Sequence, residues 1–199
     1  AMQYAKFAVI FDLLGGIYPE AGAALGWLVS LIGIVGIVLG AVAAMLVARL
    51  RFRRALLAAL WLGAGVSLAQ ALLPPLPVML ALRLLEGASH LGLVVAAPTL
   101  IAQIATDAQR GRALTLWGTF FGVAFAAMAW FGRPFAETLG VPALFAAHAA
   151  FMAAFALYLS PRLKRLPDEG QAPAFSLGSV LALHVSIYRS AHISAPAVG

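Results

Sequence analysis

Apolar runs of about 18 residues or more recur along the whole chain, and a run of that length crosses a hydrocarbon core of roughly 30 Å at about 1.5 Å per residue. Read between polar and Pro/Gly interruptions, they give a partial helix over about 1–16 and full spans over about 23–48, 55–73, 78–103, 113–131 and 142–160. A seventh run begins near 176. Hydrophobic residues make up 63% of the chain and charged residues 10%, against about a quarter charged in a soluble domain. A membrane β-barrel needs segments of about ten residues that alternate apolar and polar positions, and the sequence has none. The fold class that follows is all-α, a polytopic transmembrane helical bundle. The chain opens at Ala1 and stops at Gly199 inside an apolar run, so the expectation is a fragment with an incomplete first helix.

Short connections join the runs except over 161–175, "PRLKRLPDEGQAPAF", the longest and most charged, which reads as the loop between two bundles. The expected organisation is therefore a first bundle over 1–160, a cytoplasmic loop over 161–175 and the start of a second bundle over 176–199. A net charge of +6 raises the question of a nucleic-acid partner, but its distribution excludes that reading. Nine of the thirteen Lys and Arg residues fall in three alternate loops, around Arg49–Arg54, Arg110–Arg112 and Arg162–Arg165. Positive charge concentrated in alternate loops marks the cytoplasmic side. The expected topology is multi-pass with the amino terminus cytoplasmic, in the inner (plasma) membrane of a bacterium.

Small residues suggest where helices approach. Gly26, Gly33 and Gly40 are spaced by seven with Gly36 four before Gly40, and Gly118 and Gly122 repeat the four-residue spacing, a pattern that lets helix backbones come close. Local motifs go further. In the loop between spans 2 and 3, Gly40, Arg49, Arg53 and Arg54 match a pattern Gly-x3-Gly-x3-Asp-Arg-x-Gly-Arg-Arg, with Ala44, Ala48, Arg51 and Phe52 where glycine, aspartate, glycine and a further basic residue stand. In span 4, Arg83 and Gly87 match the pattern Arg-x-x-Gln-Gly-x-Gly-Ala, with Glu86 in place of Gln and Ser89 and His90 in place of small residues, and Pro98 and "QRGRAL" suit the exit of that helix. In number of helices, position of the long loop and these motifs, the chain resembles the major facilitator superfamily. The resemblance implies an amino-terminal six-helix half plus the start of helix 7, with the second half lying beyond this sequence. It also implies that Gly40, Arg49, Arg53 and Arg54 form a loop that participates in conformational change. Val123, Ala126 and Ala127 replace the Pro and Gly residues of the antiporter motif in span 5, which argues against a drug/proton antiporter.

The stretch "RLLEGASH" asks for a separate explanation, because it puts an arginine, a glutamate and a histidine in a membrane span. At 100° per residue, Arg83, Gly87 and His90 share one face and Glu86 lies about 60° to its side. A charge at the bilayer centre costs at least about 2.5–3.5 kcal/mol, so such residues face a bundle interior or a water-filled cavity. Arg83, about 8 Å from the start of its span, has two readings open to it, a cavity residue or a snorkelling or Glu86-paired structural one. His90, about 18 Å in, is too deep to snorkel and either lines a substrate or proton pathway or makes a helix-to-helix hydrogen bond. Asp12 is a further candidate for the pathway, against a solvated helix end. His184 and Tyr188 recur at helical spacing on the seventh run and complete the candidate set. His148 and Gln70 read as packing or interfacial residues.

No phosphate-binding loop, HExxH or nucleophile elbow is present, and cysteine is absent, so neither an enzyme nor a cofactor or metal site is expected. The leading function is a secondary active transporter working by alternating access, coupled to an ion gradient, most simply protons in symport. Arg83 favours a small organic or inorganic anion or metabolite as solute. The alternatives are a non-transporting structural or assembly subunit and a multidrug efflux carrier. The partners expected are a small solute, the coupling ion and the lipid bilayer, with no nucleic acid.

Overall fold

In the computed structural model, residues 1–165 and residue 178 are described, and every regular element among them is helical. The candidate residues His184 and Tyr188, and the run from 176, lie outside the described residues. The helices are α1 (Met2–Ala8), α2 (Phe11–Ile17), α3 (Trp27–Leu50), α4 (Phe52–Gln70), α5 (Leu76–Ile104), α6 (Asp107–Gly118), α7 (Phe120–Ala127), α8 (Arg133–Leu139) and α9 (Val141–Lys164), with a 3-10 stretch over Pro19–Gly26. Five stretches are long and apolar enough to cross a membrane, the longest being Asp107–Leu139. The chain is a multi-pass helical membrane protein.

The ends of the helices follow from local chemistry. Pro74 and Pro75 cannot continue α4, and Pro77 sits in the first turn of α5, where its missing N–H costs nothing. Gly140 at φ 88° takes the left-handed conformation that separates α8 from α9. Between α3 and α4 only one residue intervenes, Arg51 at φ 65°, so the turn there is as tight as a non-glycine residue permits.

Two helical runs are interrupted. The first breaks at Val9–Ile10, between α1 and α2. The run beginning at Asp107 does not stop at Phe131 but passes through a π turn over Met128–Gly132 into α8 and ends at Leu139. Arg133, which the sequence alone places in a loop, is therefore the first residue of a helix.

α5 lies at the centre, packed along α3 on one side and α4 on the other, with α4 packed in turn along α9. Glycines set these contacts, but not the ones in the stripe of span 2. A Cβ added at Gly87 would meet Val35 of α3 at 2.9 Å, one at Gly92 would meet Ala59 of α4 at 2.7 Å, and one at Gly63 would meet Met152 of α9 at 2.5 Å. Of the stripe, Gly33 meets only the Tyr4 hydroxyl at 2.8 Å, and Gly26 and Gly40 have nothing within 4 Å, as is also true of Gly118 and Gly122. The glycines that admit side chains of a facing helix are those on the buried faces of α4 and α5. Many large apolar side chains, among them Ile37, Leu46, Trp130 and Leu157, face outward, as surfaces in contact with lipid do.

Candidate functional site

Where α1, α4, α5 and α9 meet, the bundle encloses a cluster of polar side chains. Arg83, Glu86 and Lys6 are all fully buried, and with them Ser67, Gln70, Ser89, Gln3 and His148. Lys6, on α1, donates to Ser67 Oγ and Gln70 Oε1 and is ion-paired with Glu86 Oε1, each at 2.7 Å. Glu86 receives Lys6 on one oxygen, and Arg83 and Gln70 Nε2 (2.8 Å) on the other. Arg83 also donates to two main-chain carbonyls, Leu28 on α3 and Gln3 on α1, the latter at 3.0 Å. Its guanidinium lies 4.0 Å from the centre of the Phe7 ring, a cation–π contact that is strongest where water is excluded. Arg83 therefore does not snorkel. It is the buried partner of Glu86, and its arms tie α5 to α1 and α3.

The charge balance of the cluster is unequal, two cations to one carboxylate. Among the described residues no second carboxylate is buried. The surplus is spread over Gln70, Ser67, two carbonyls and the faces of Phe7 and Phe145, the latter 5.0 Å from Lys6 Nζ, but Arg83 Nη2 and Glu86 Oε1 have no hydrogen-bond partner among the described residues, so the cluster is incompletely satisfied as a buried ion group.

The hydrogen bonds also fix proton positions. Because Lys6 donates to Ser67 Oγ, the Ser67 hydroxyl proton is directed to its other neighbour, His148 Nδ1, at 2.7 Å. A neutral His148 then carries its proton on Nε2, which has no partner among the described residues. By the same logic Ser89 donates to Ala59 O (2.7 Å) and accepts from Gln3 Nε2 (2.8 Å), leaving Gln3 Oε1 unpartnered. Gly63 makes room for this junction, since a Cβ there would lie 2.7 Å from Ser89 Oγ and 3.0 Å from Gln3 Nε2. Glu86, Lys6, Ser67 and His148 thus form an unbroken chain of exchangeable groups across four helices.

His90, one turn along from Glu86, stands apart from that chain. It is 7% exposed, packs edge-on to Tyr4 (ring centres 5.2 Å apart) and Phe121 (6.0 Å), and its Nδ1 is unpartnered. His90, His148 and Gln3 line one cavity of about 410 Å³ whose walls include Trp117, Phe120 and Phe151. The structure thus brings Arg83 and Glu86 into one cluster and sets His90 beside it.

Asp12 is elsewhere. It is exposed, in the first turn of α2 just after the break in the first helical run, and is held bidentate by Arg133 (3.0 and 2.8 Å), which also donates to the Val9 carbonyl at the α1–α2 break (3.0 Å) and to Glu137 (2.9 Å). The two interrupted runs meet at this arginine. Arg49, Arg53 and Arg54 gather at the opposite end of the bundle, around the tight α3–α4 turn, and Gly40 lies in mid-α3. Among the described residues no three His, Asp or Glu side chains come together as a metal site requires.

Lys6 is the residue that sequence reasoning missed. Its signal was there, a lone lysine within an apolar run, which by its cost alone asks for a partner. Gln70 and His148, read as packing residues, are hydrogen-bonded members of the cluster.

The family model described as Major Facilitator Superfamily matches residues 2–195. No curated protein and no solved structure matches the chain. The chain belongs to the Major Facilitator Superfamily, a family of membrane transporters.

Proposed function

We propose that the chain is the amino-terminal half of a secondary active transporter that moves a small anionic solute by alternating access, driven by protons. In this reading residues 1–160 form one bundle, 161–175 a cytoplasmic connection and 176–199 the start of a second bundle that rocks against the first around a site near the membrane midplane. The basic charge of three alternate loops supports a cytoplasmic amino terminus, and a bacterial plasma membrane is part of the same reading.

The observation that carries the proposal is the buried cluster of Lys6, Arg83 and Glu86, with one cation in excess. Isolating three charges from water is expensive, and a hydrophobic core of the same volume is often no less stable. A cluster serving stability alone has no use for an unbalanced cation, whereas an anion site does. The chain Glu86–Lys6–Ser67–His148 supplies groups through which a proton is taken up as an anion arrives, so that solute and proton move together. His90, on the same helix beside an aromatic-walled cavity, is the proposed contact between that chain and the solute pathway.

The test is thermal unfolding of the purified full-length protein against small organic anions, amino acids and sugars, because a ligand bound to the native state raises its apparent stability. Hits are then assayed for uptake into proteoliposomes with and without an imposed pH gradient. Stabilisation by anions and acceleration by the gradient are expected. If reconstituted protein binds no solute and moves none, the structural-subunit reading replaces this one.

A further inference from the structure

The cavity of about 410 Å³ beside the buried cluster is walled chiefly by apolar side chains. Aromatic rings reach it from two sets of elements: Trp117 and Phe120, stacked 4.6 Å apart, from α6 and α7, and Phe151 and Phe155, 5.1 Å apart, from α9. Its size falls within the roughly 300–1,000 Å³ of small-molecule sites. Three polar side chains, each more than nine-tenths buried, bring to it an atom without a partner among the described residues: Gln3 Oε1, His148 Nε2 and His90 Nδ1. Buried polar atoms left unpaired are exceptional and costly, and a ligand that pairs them recovers that cost.

The roles of two of these atoms are fixed from behind. Ser89 gives its proton to the Ala59 carbonyl and can only accept from Gln3, which turns the Gln3 amide nitrogen to Ser89 and leaves Oε1 as an acceptor. Ser67 accepts from Lys6 and gives its proton to His148 Nδ1, so His148 presents an Nε2–H donor. Both atoms belong to one corner. Gln3 Nε2 and Met152 Cε lie within 3.0 Å of the point that a Gly63 Cβ would take, and Met152 is one turn from His148 on α9. That corner offers one donor and one acceptor, set among apolar walls.

No charged side chain lines the cavity. Its titratable groups are His148, His90 and the amino group of Ala1, while Lys6 stands behind Ser67 and Glu86 behind Lys6. A carboxylate placed in the corner accepts from His148 but meets a second acceptor at Gln3 Oε1, and an ion so poorly paired is expensive to take out of water. A carboxylic acid with its proton on has the matching pair, one acceptor and one donor.

We propose that this cavity binds an aromatic monocarboxylic acid in its neutral form, the carbonyl oxygen accepting from His148 Nε2–H, the hydroxyl donating to Gln3 Oε1 and the ring lying among Trp117, Phe120, Phe151 and Phe155. The inference rests on the transporter reading above and deepens it, since the anion and the proton that move together do so as one molecule. The proton is taken from water by the carboxylate as it enters, and no bond within the protein is made or broken. Flat aromatic bodies suit walls of this kind because offset and edge-on ring contacts add to area burial.

The test is isothermal titration of the purified full-length protein with benzoic acid, benzamide, methyl benzoate or benzenesulfonate at about pH 5.5 and 7.5. Benzamide keeps a donor and an acceptor without titrating, the ester lacks the donor, and the sulfonate stays an anion. Affinity for benzoic acid is expected to fall about a hundredfold between the two conditions, tenfold for each pH unit above its own pKa, while that for benzamide changes by less than about twofold. Methyl benzoate is expected to bind about tenfold more weakly than benzamide, one hydrogen bond's worth, and benzenesulfonate not at all. Gln3→Met removes the acceptor, keeps the length of the side chain and is expected to weaken acid and amide alike by about tenfold. If that variant does not fold, the four compounds on the unaltered protein decide the matter alone. Binding of benzenesulfonate, or pH-independent binding of benzoate that benzamide does not displace, would overturn the neutral-acid site and leave the transporter reading standing. Equal binding of all four to the unaltered protein and to Gln3→Met would show partition into detergent and overturn it as well. So would binding of none of them, and only failure to bind or move any solute would remove the transporter reading too.

Discussion

Glu86 is the only buried carboxylate among the described residues, and removing its charge tests the cluster most directly. In Glu86→Gln the side chain keeps its size, but Lys6 and Arg83 lose their common counter-ion, and the new amide NH2 faces donors. At about 3 Å and an effective dielectric of ~20, each lost attraction is roughly 5 kcal/mol before solvation is considered. Measured losses on breaking a buried pair are about 3–5 kcal/mol. For a chain of this size that is a fall in Tm of about 10 °C, at roughly 2–4 °C per kcal/mol. Lys6→Met makes the contrast. It removes one attraction but also the repulsion between Lys6 and Arg83, which share the Phe7 ring at 5.6 and 4.0 Å, and it leaves Arg83 and Glu86 as a neutral pair. Its cost is expected to be about 2 kcal/mol or less, that of charged hydrogen bonds partly offset. The assay is thermal unfolding of the purified variants in one detergent, followed by anion titration. Glu86→Gln should be the less stable of the two, and Lys6→Met should lose anion-induced stabilisation while staying folded. If Lys6→Met destabilised the protein as much as Glu86→Gln, the excess-cation argument would fail.

Other outcomes follow from the same geometry. Gly63→Ala is expected to cost about 1–3 kcal/mol by overpacking, because its Cβ would sit 2.5 Å from Met152 Cε, whereas Gly40→Ala, with nothing within 4 Å, should be neutral in the same unfolding assay. His90→Gln, which removes titration but keeps hydrogen bonding, should leave folding intact and abolish uphill uptake while retaining counterflow; wild-type uphill transport with an unaltered pH profile would return His90 to plain packing against Tyr4 and Phe121. Asp12→Asn should leave the pH profile unchanged, since Asp12 is exposed and paired with Arg133; a shifted profile would restore it to the proton pathway. A cysteine at Arg53 should react with an impermeant thiol reagent only from the cytoplasm and one at Glu137 only from outside, and the reverse labelling would invert the proposed orientation.

How much of this was legible in the sequence depends on the range over which each feature is determined. Spans are local, because hydrocarbon thickness converts directly into a count of apolar residues. The polar face of α5 is local too, since helical periodicity alone brings Arg83, Gly87 and His90 together. What periodicity cannot supply is the neighbour. Glu86 pairs with Lys6, eighty positions earlier, and His148 joins through Ser67, eighty-one positions away; each link is made by packing of helices with no adjacency in the chain. The glycines show the same limit. Spacing made Gly26, Gly33 and Gly40 a stripe, yet a stripe only permits close approach, and the approach occurs at Gly63, Gly87 and Gly92, where a facing helix carries Met152, Val35 or Ala59.

Arg133 and Lys6 show why a lone charge in an apolar chain is informative even when its partner is hidden. Neither had a motif; Lys6 sits where a charge is costly unless satisfied, whereas Arg133 is partly exposed. Arg133 resolves two irregularities at once: its guanidinium reaches the Val9 carbonyl at the break in the first helical run and grips Asp12 just beyond it, from a position directly after the π turn. Such turns recur at functional sites because they relax the helical ladder locally. Lys6 meets a harder problem deeper in, with two acceptors on α4 and the Glu86 carboxylate of α5 as counter-ion. The first helical run is thus fastened to the bundle at two levels, exposed at Asp12 and buried at Lys6. A movement of this run that relieves one fastening need not disturb the other, and only the buried one holds an excess cation with groups able to exchange a proton. Under the proposed function, an anion or a proton arriving at the cluster would change the contacts of α1 with α4 and α5 in one state of the bundle, and such differential contacts are what shift a conformational equilibrium.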